Sequence, residues 1–439
     1  MKNKSIFNDF LKYVSLNILG QAAFSCYTLV DTFFVSASLG ANGITALNLA
    51  FPIFCLINGT GLMIGMGGGT RYSILKSRGD DENADRVFTS AIYMAACAAM
   101  VFVLFGVFLS GTAAKLLGAD STVFDMTNTY LKVMLLFAPA FLFNHLLQCF
   151  VRNDGKPSLS MAAMIMGSLS NVVLDYIFIF PLRMGIFGAI FATGLAPVIS
   201  MAVLSSYFIR KKNRFRFVRD LPGAKRVTEI LSSGIPSFVT EVTSGIVMLV
   251  FNFIILGLEG NTGVAAFAVI TVISLVVVAI YTGLSQGVQP VISINHGANH
   301  TTNVKSALKY ALITVLLLSG VIYTVIFLGA SQLVSIFNSE NNNVLQTLAV
   351  TGLRLYFLAC PFIGFNIVIA TYFTSTERPR PAQVISLLRG FLVLIPMAFL
   401  LSALFKMTGV WCAYPLTEFI VAWIGLTFYI SIKRKERLK

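Results

Sequence analysis

Two aspartates interrupt stretches that are otherwise almost wholly apolar: Asp31 in "AFSCYTLVDTFFV" and Asp175 in "NVVLDYIFIF". An ionised carboxylate in hydrocarbon costs at least ~3 kcal/mol, so such a group faces a protein interior or a water-filled cavity and is a candidate for function. Two carboxylates brought together cannot both stay ionised cheaply, and the pair then takes up a proton or a small cation. Suitable neighbours are spaced to join them. Tyr27 precedes Asp31 by four residues and Asn171 precedes Asp175 by four, so each shares a helix face with its aspartate. Thr193, in "FATGLAP", adds a hydroxyl that can either join the cluster or bond back to its own helix. In the second half, Glu241 lies near Pro236 and could meet a cationic substrate. Arg389 is available to pair with either Glu241 or Glu418.

The elements that hold these residues follow from composition. The chain has 439 residues, 56% hydrophobic and only 11% charged, with mean hydropathy +0.82. Soluble domains carry roughly a quarter charged residues, so this is an integral membrane protein. Apolar runs long enough to cross ~30 Å of hydrocarbon as helices recur at 14–38, 45–70, 87–110, 124–149, 158–181, 186–209, 228–257, 264–293, 305–329, 346–374, 382–403 and 408–431. The fold expected is all-α, with twelve transmembrane helices. Asp31 and Asp175 each lie about 17 residues into spans entered from the same side, at a common depth of ~25 Å.

Of the 32 Lys and Arg, Lys115, Arg183 and Lys406 fall on one face and Lys132, Arg354 and Arg389 inside spans, leaving 26 on the other face. That asymmetry puts both termini in the cytoplasm. The net charge of +14 therefore calls for no nucleic acid; anionic lipid is its expected partner. The opening "MKNKSIFNDFLK" has the pattern of an amphipathic lead-in rather than a cleaved signal. All six cysteines fall in predicted spans without metal-ligand spacing, so neither disulfides nor metal sites are expected. No "GxxxxGK[ST]", "GxSxG" or "HExxH" occurs, and "GMGGGT" follows no strand, which argues against an enzyme and against nucleotide-driven transport.

A shift of 222 residues superposes the two halves. It lays "TGLMIG" (60–65) on "TGLSQG" (282–287) and "LKVMLLFAPAFLFN" (131–144) on "LRLYFLACPFIGFN" (353–366). Six helices per half is an even number, so the halves insert with one orientation, related by a pseudo-two-fold along the membrane normal. The expected organisation is an N-terminal six-helix lobe (1–213), a basic linker (214–226) and a C-terminal six-helix lobe (227–439). Substrate would sit in the cleft between lobes. The same shift carries Asp31, Asn171, Asp175 and Thr193 onto Phe253, Val393, Met397 and Pro415, so the polar cluster exists once. Packing tolerates apolar residues there in one lobe; the other lobe's polar set is there for chemistry. Lys132 and Arg354 are the charge pair that the shift preserves, expected to snorkel at helix ends. His145 reads as a hydrogen-bonded helix residue, and the prolines at 139, 197, 236, 290, 361, 396 and 415 as breaks in helix bonding.

At this point the chain resembles the multidrug and toxic compound extrusion (MATE) family, in its prokaryotic DinF- and MepA-like branch. The likeness rests on "VDTFFVSASLGANGITALNLAFP", "NVVLDYIFIF", "GIFGAIFATGLA", "RNDGKP", "SGIPSFVTE" and "GVWCAYP". It implies a V-shaped monomeric antiporter of a prokaryotic cell membrane. Such a protein exports amphipathic organic cations against H+ or Na+, without a cofactor. Its ion site would map onto Asp31, Asn171, Asp175 and Thr193, with Tyr27 beside them. The NorM branch carries a further carboxylate in the tenth helix, which residues 346–374 lack, while Glu241 matches the acid of its seventh helix; the coupling ion stays open. Two other classes compete. A lipid-linked oligosaccharide flippase would need several cavity arginines to meet pyrophosphate, whereas only Arg354 and Arg389 are expected within spans. A channel fits poorly with buried paired acids.

Overall fold

The computed structural model describes residues 6–338 and 342–437. All regular structure among them is helical, as it must be where the backbone has no water to bond. Three runs break at single residues: Ile6–Ser77 at Gly40 (φ 62°, ψ −152°), Ala224–Gly297 at Gly260 (φ 60°, ψ −151°) and Leu394–Arg437 at Lys406 (φ 52°, ψ −134°). Splitting at those breaks, and joining segments that continue across a bend, gives twelve spans. They are 6–39, 41–77, 81–116, 124–153, 157–179, 185–209, 224–259, 261–297, 301–337, 343–375, 379–405 and 407–437. With an even number of spans, residues 6 and 437 lie on one side, together with most of the basic residues; we call it the basic face.

The repeat is visible in the backbone. Left-handed residues recur as Gly40 with Gly260, Gly79 with Asn299, Gly155 with Glu377 and Arg183 with Lys406. Prolines act unevenly on the helices. The fourth span bends by 47° at Phe137, just before Pro139. The tenth tightens into a 3-10 turn, Phe357–Ala359, ahead of Pro361, and the eleventh passes through a π-helical turn, Leu388–Leu392, ahead of Pro396. Pro197, Pro236, Pro290 and Pro415 stay inside continuous helices.

Two six-helix lobes result, but two spans are shared between them. Phe10 and Val14 of the first span belong to the second-half core, with Tyr281, Leu284 and Val288. Further along the same helix, Val35 packs with Ile179 and Ala189 of the first half. The seventh span does the reverse: Ile230 packs with Tyr72, Phe88 and Phe150, and Phe251 and Ile255 with the second-half core. Glycines permit the crossings. A Cβ on Gly67 would collide with the Ile230 carbonyl, one on Gly234 with that of Met63, and Gly283 and Gly287 lie against the backbone at Ile18 and Val14. Small residues letting helices approach this closely are how membrane helices associate without a hydrophobic drive.

Candidate functional site

The first, fifth and sixth spans converge inside the first lobe. Asp31 is 7% exposed, Asp175 and Asn171 are fully buried, Thr193 is 5% exposed and Tyr27 8%. The two carboxyl groups come within hydrogen-bond reach of each other. Oδ1 of each has no other partner among the described residues. In the amide orientation that satisfies its surroundings, Asn171 donates Nδ2 to Asp175 Oδ2 (2.9 Å) and accepts from the Thr193 backbone N–H (3.3 Å). Thr193 Oγ1 donates to Ala189 O at 3.1 Å, so its hydroxyl hydrogen is spent on its own helix, and its lone pairs face the cluster. The phenol of Tyr27 lies close enough to feel both aspartates. The structure thus brings all five expected side chains together.

Tyr130, in the fourth span, also lies within electrostatic range of Asp31, Asp175 and Tyr27. Neither a repeat position nor an acidic residue one helical turn away marks it in the sequence. Chemically the site offers carboxylate, amide and hydroxyl oxygens and no cation of its own, a donor set suited to a proton or a hard monovalent ion.

The second-half charges separate. Arg389 pairs with Glu418, Nη2 to Oε1 at 2.7 Å and Nε to Oε1 at 3.1 Å, and Asn366 Nδ2 donates to Glu418 Oε2 at 2.7 Å. Arg389 sits in the π-helical turn, next to Gly390, which packs on Val239 and Thr243 of the seventh span. Glu241, two residues from each of those, occupies the opposite face of its helix. It points instead at the first lobe, with its Cβ against Gly59. No hydrogen bond or ion pair reaches its carboxyl among the described residues. The choice the sequence left open for Arg389 therefore falls to Glu418.

One expectation is overturned. Arg354 and Arg389 are not alone within spans: Arg71 lies in the second, and the fourth runs on to Asn153 and includes Arg152, 1% exposed. The expected span ends at 149 and the apolar run at Val151, but the helix continues to Asn153, just before the left-handed turn at Gly155. Arg152 Nη1 donates to Asn17 Oδ1 (3.1 Å) and Gln286 Oε1 (2.9 Å), spanning the lobes near the basic face. His145 donates Nε2–H to Asn58 Oδ1 at 2.8 Å. Arg354 lies exposed, 5.0 Å over the Phe327 ring.

A family model described as MatE matches residues 17–177 and 236–400. The chain is similar to the multidrug export protein MepA of Staphylococcus saprophyticus, 27% identical over 96% of this chain and 93% of that protein. It is also 27% identical to MepA of Staphylococcus aureus strain MSSA476, over 92% and 89%. Among solved structures, a MATE in complex with MaL6 superposes with TM-score 0.92 at 21% identity, over 99% of this chain and 98% of that one. An outward-facing multidrug resistance MATE family transporter gives 0.90 at 21% identity, over 99% and 97%. At that identity the solved structures show the fold alone. Family members are transporters, not enzymes. The two matched segments take one lobe each and together cover most of the sequence, so the chain belongs to the MatE family.

Proposed function

We propose that the protein is a secondary antiporter that exports amphipathic organic cations in exchange for H+ or Na+, with Asp31 and Asp175 as the coupling pair. The relatives' description as multidrug export proteins supports the cargo class. The observation that carries the coupling is the buried pair itself: two interacting carboxyls, each with an oxygen lacking a partner and with no basic residue bonded to them among the described residues. Such a pair is costly unless a small cation joins it. Asn171 and Thr193 complete the oxygen set, and Tyr27 borders it.

Entry of the ion from outside neutralises the pair and relaxes the outer half of the first span. Because the inner half of that helix is packed in the second-lobe core, the change is felt at the lobe interface. Glu241, facing the second span across the interface, supplies the negative charge that a lipophilic cation meets in the cleft. Basic residues concentrated on one face support a multi-pass orientation in a prokaryotic cell membrane with both termini cytoplasmic, and a single chain contains the whole site.

Ethidium efflux from proteoliposomes, with pH and Na+ gradients imposed separately, tests the reading. Efflux driven by one gradient and lost in Asp31→Asn and Asp175→Asn is expected; full activity in both variants sinks the coupling assignment. Flux indifferent to any gradient would indicate a channel. Turnover of lipid-linked oligosaccharide without cation efflux would indicate a flippase.

A further inference from the structure

At the basic face the lobes are joined by charges the coupling scheme does not use. Arg71 Nη2 meets Glu229 Oε2 at 2.8 Å, and Arg71 Nη1 meets Glu377 Oε1 at 2.5 Å. Arg78 holds both oxygens of Glu377, Nη1 reaching Oε1 at 3.3 Å and Nη2 ion-pairing with Oε2. His296 Nε2 lies 3.3 Å from Glu377 Oε2. Arg71 and Arg78 belong to the first lobe; Glu229 roots the seventh span, and His296 and Glu377 belong to the second lobe. The bonds from Arg71 and Arg78 cross the interface, and the one from His296 braces Glu377 within the second lobe.

Glu377 occupies an unusual position for its type. Its backbone is left-handed, φ 59°, a conformation disfavoured for any residue with a Cβ. The 222-residue shift places it on Gly155, φ 90°, in the matching loop: "NDGKP" in one half, "TERP" in the other. Where the first half uses the residue its turn asks for, the second half accepts a strained glutamate. The loop acids also differ in what they hold. Asp154 stays within its own lobe and the linker, accepting from Tyr72 and Tyr207 hydroxyls at 2.7 Å each and from the Arg214 backbone N–H at 2.8 Å. Glu377 reaches across to the other lobe. A side chain kept at a left-handed position that glycine fills in the matching turn points to function.

We propose that Glu377 is the pin of an electrostatic latch that holds the two lobes shut at the basic face, and that it must release before the cleft opens on that side. Its purpose rests on the two-lobed transporter reading but not on the coupling ion or cargo. The bond from His296, then those from Arg78 and Arg71, hold the Glu377 carboxyl down from 4.5 to about 2. A depressed carboxyl stabilises the closed contact fully above its ordinary value and loses that contribution only as pH falls toward about 2. The latch carboxylate therefore stays charged in cells. Beneath it a polar layer completes the seal: Gln289 Nε2 donates to Thr70 Oγ1 and Asn153 Oδ1, both at 3.0 Å, with Ser293 fully buried one turn on.

Ser293→Cys supplies a reporter in that seal. Protein in nanodiscs is reacted with a maleimide, and labelling at position 293 is read by peptide mass spectrometry, so neither sidedness nor transport enters the measurement. Glu377→Gln and Glu377→Gly should each speed labelling about ten-fold, the glycine variant while keeping or raising thermal stability because the turn is relaxed. Raising salt from ~0.1 to ~1 M, which shortens the screening length from ~10 to ~3 Å, should speed labelling of the parent and leave the variants little changed. Unchanged labelling in both variants overturns the latch. If neither variant can be purified, a parent rate indifferent to salt overturns it equally.

Discussion

The two lobes are built on one plan and bury carboxylates differently. In the second lobe Glu418 is 1% exposed, yet both its oxygens are bonded, to Arg389 and Asn366. In the first lobe Asp31 and Asp175 lie together with no guanidinium or ammonium bonded to them among the described residues, and each keeps an oxygen without a partner there. A charge matched inside the protein is fixed in place. A charge left unmatched needs a counter-ion from solution and gives it up again when the surroundings change. Under the proposed antiport, the contrast would give exchange to one lobe and rigidity to the other.

The largest expected effects test that division. Asp31→Asn or Asp175→Asn should cut gradient-driven efflux at least ~10-fold, what ~1.4 kcal/mol of lost ion binding amounts to. Thermal unfolding in detergent should stay level or move up, because an unmatched buried carboxylate is gone. Arg389→Met should do the opposite, costing ~3–5 kcal/mol of stability by stranding Glu418. Adding Glu418→Leu to Arg389→Met should restore most of it, and efflux by the double variant should recover with it. Should Arg389→Met leave stability untouched and abolish efflux, the second lobe would be a working site too and the comparison would fail.

Much of this was legible in the sequence. The number of spans, the repeat and the single polar cluster follow from apolar run lengths and from one offset, because membrane helices obey a length rule and a carboxylate in hydrocarbon is conspicuous. What stayed hidden depends on helix phase and on polar residues near the interface. Arg152 lies past the end of an apolar run, and only the backbone shows that the helix continues around it. Tyr130 carries no sequence mark of its nearness to the aspartates. The partner of Arg389 turned on which face of the seventh helix Glu241 takes, fixed by Gly390 packing on Val239 and Thr243. The sharing of the first and seventh spans between lobes is a tertiary fact without periodic signature.

The smallest expected effect sharpens the picture of the first-lobe cluster from inside. Thr193 is a candidate ligand by its depth in the sixth span and by the family resemblance, but its hydroxyl hydrogen is donated to Ala189 O, so its lone pairs are all it offers to an incoming ion. A proton arriving at the Asp31 and Asp175 pair makes no demand on those lone pairs, whereas a sodium ion needs several oxygens at once. Thr193→Val keeps the shape of the side chain and removes its oxygen, at a cost of ~1 kcal/mol if that oxygen is a ligand. Efflux under a pH gradient should therefore fall by less than about two-fold, and efflux under a Na+ gradient by roughly five-fold. Equal losses under both gradients would mean that Thr193 shapes the site without touching the ion, leaving the two aspartates and Asn171 to do the exchange.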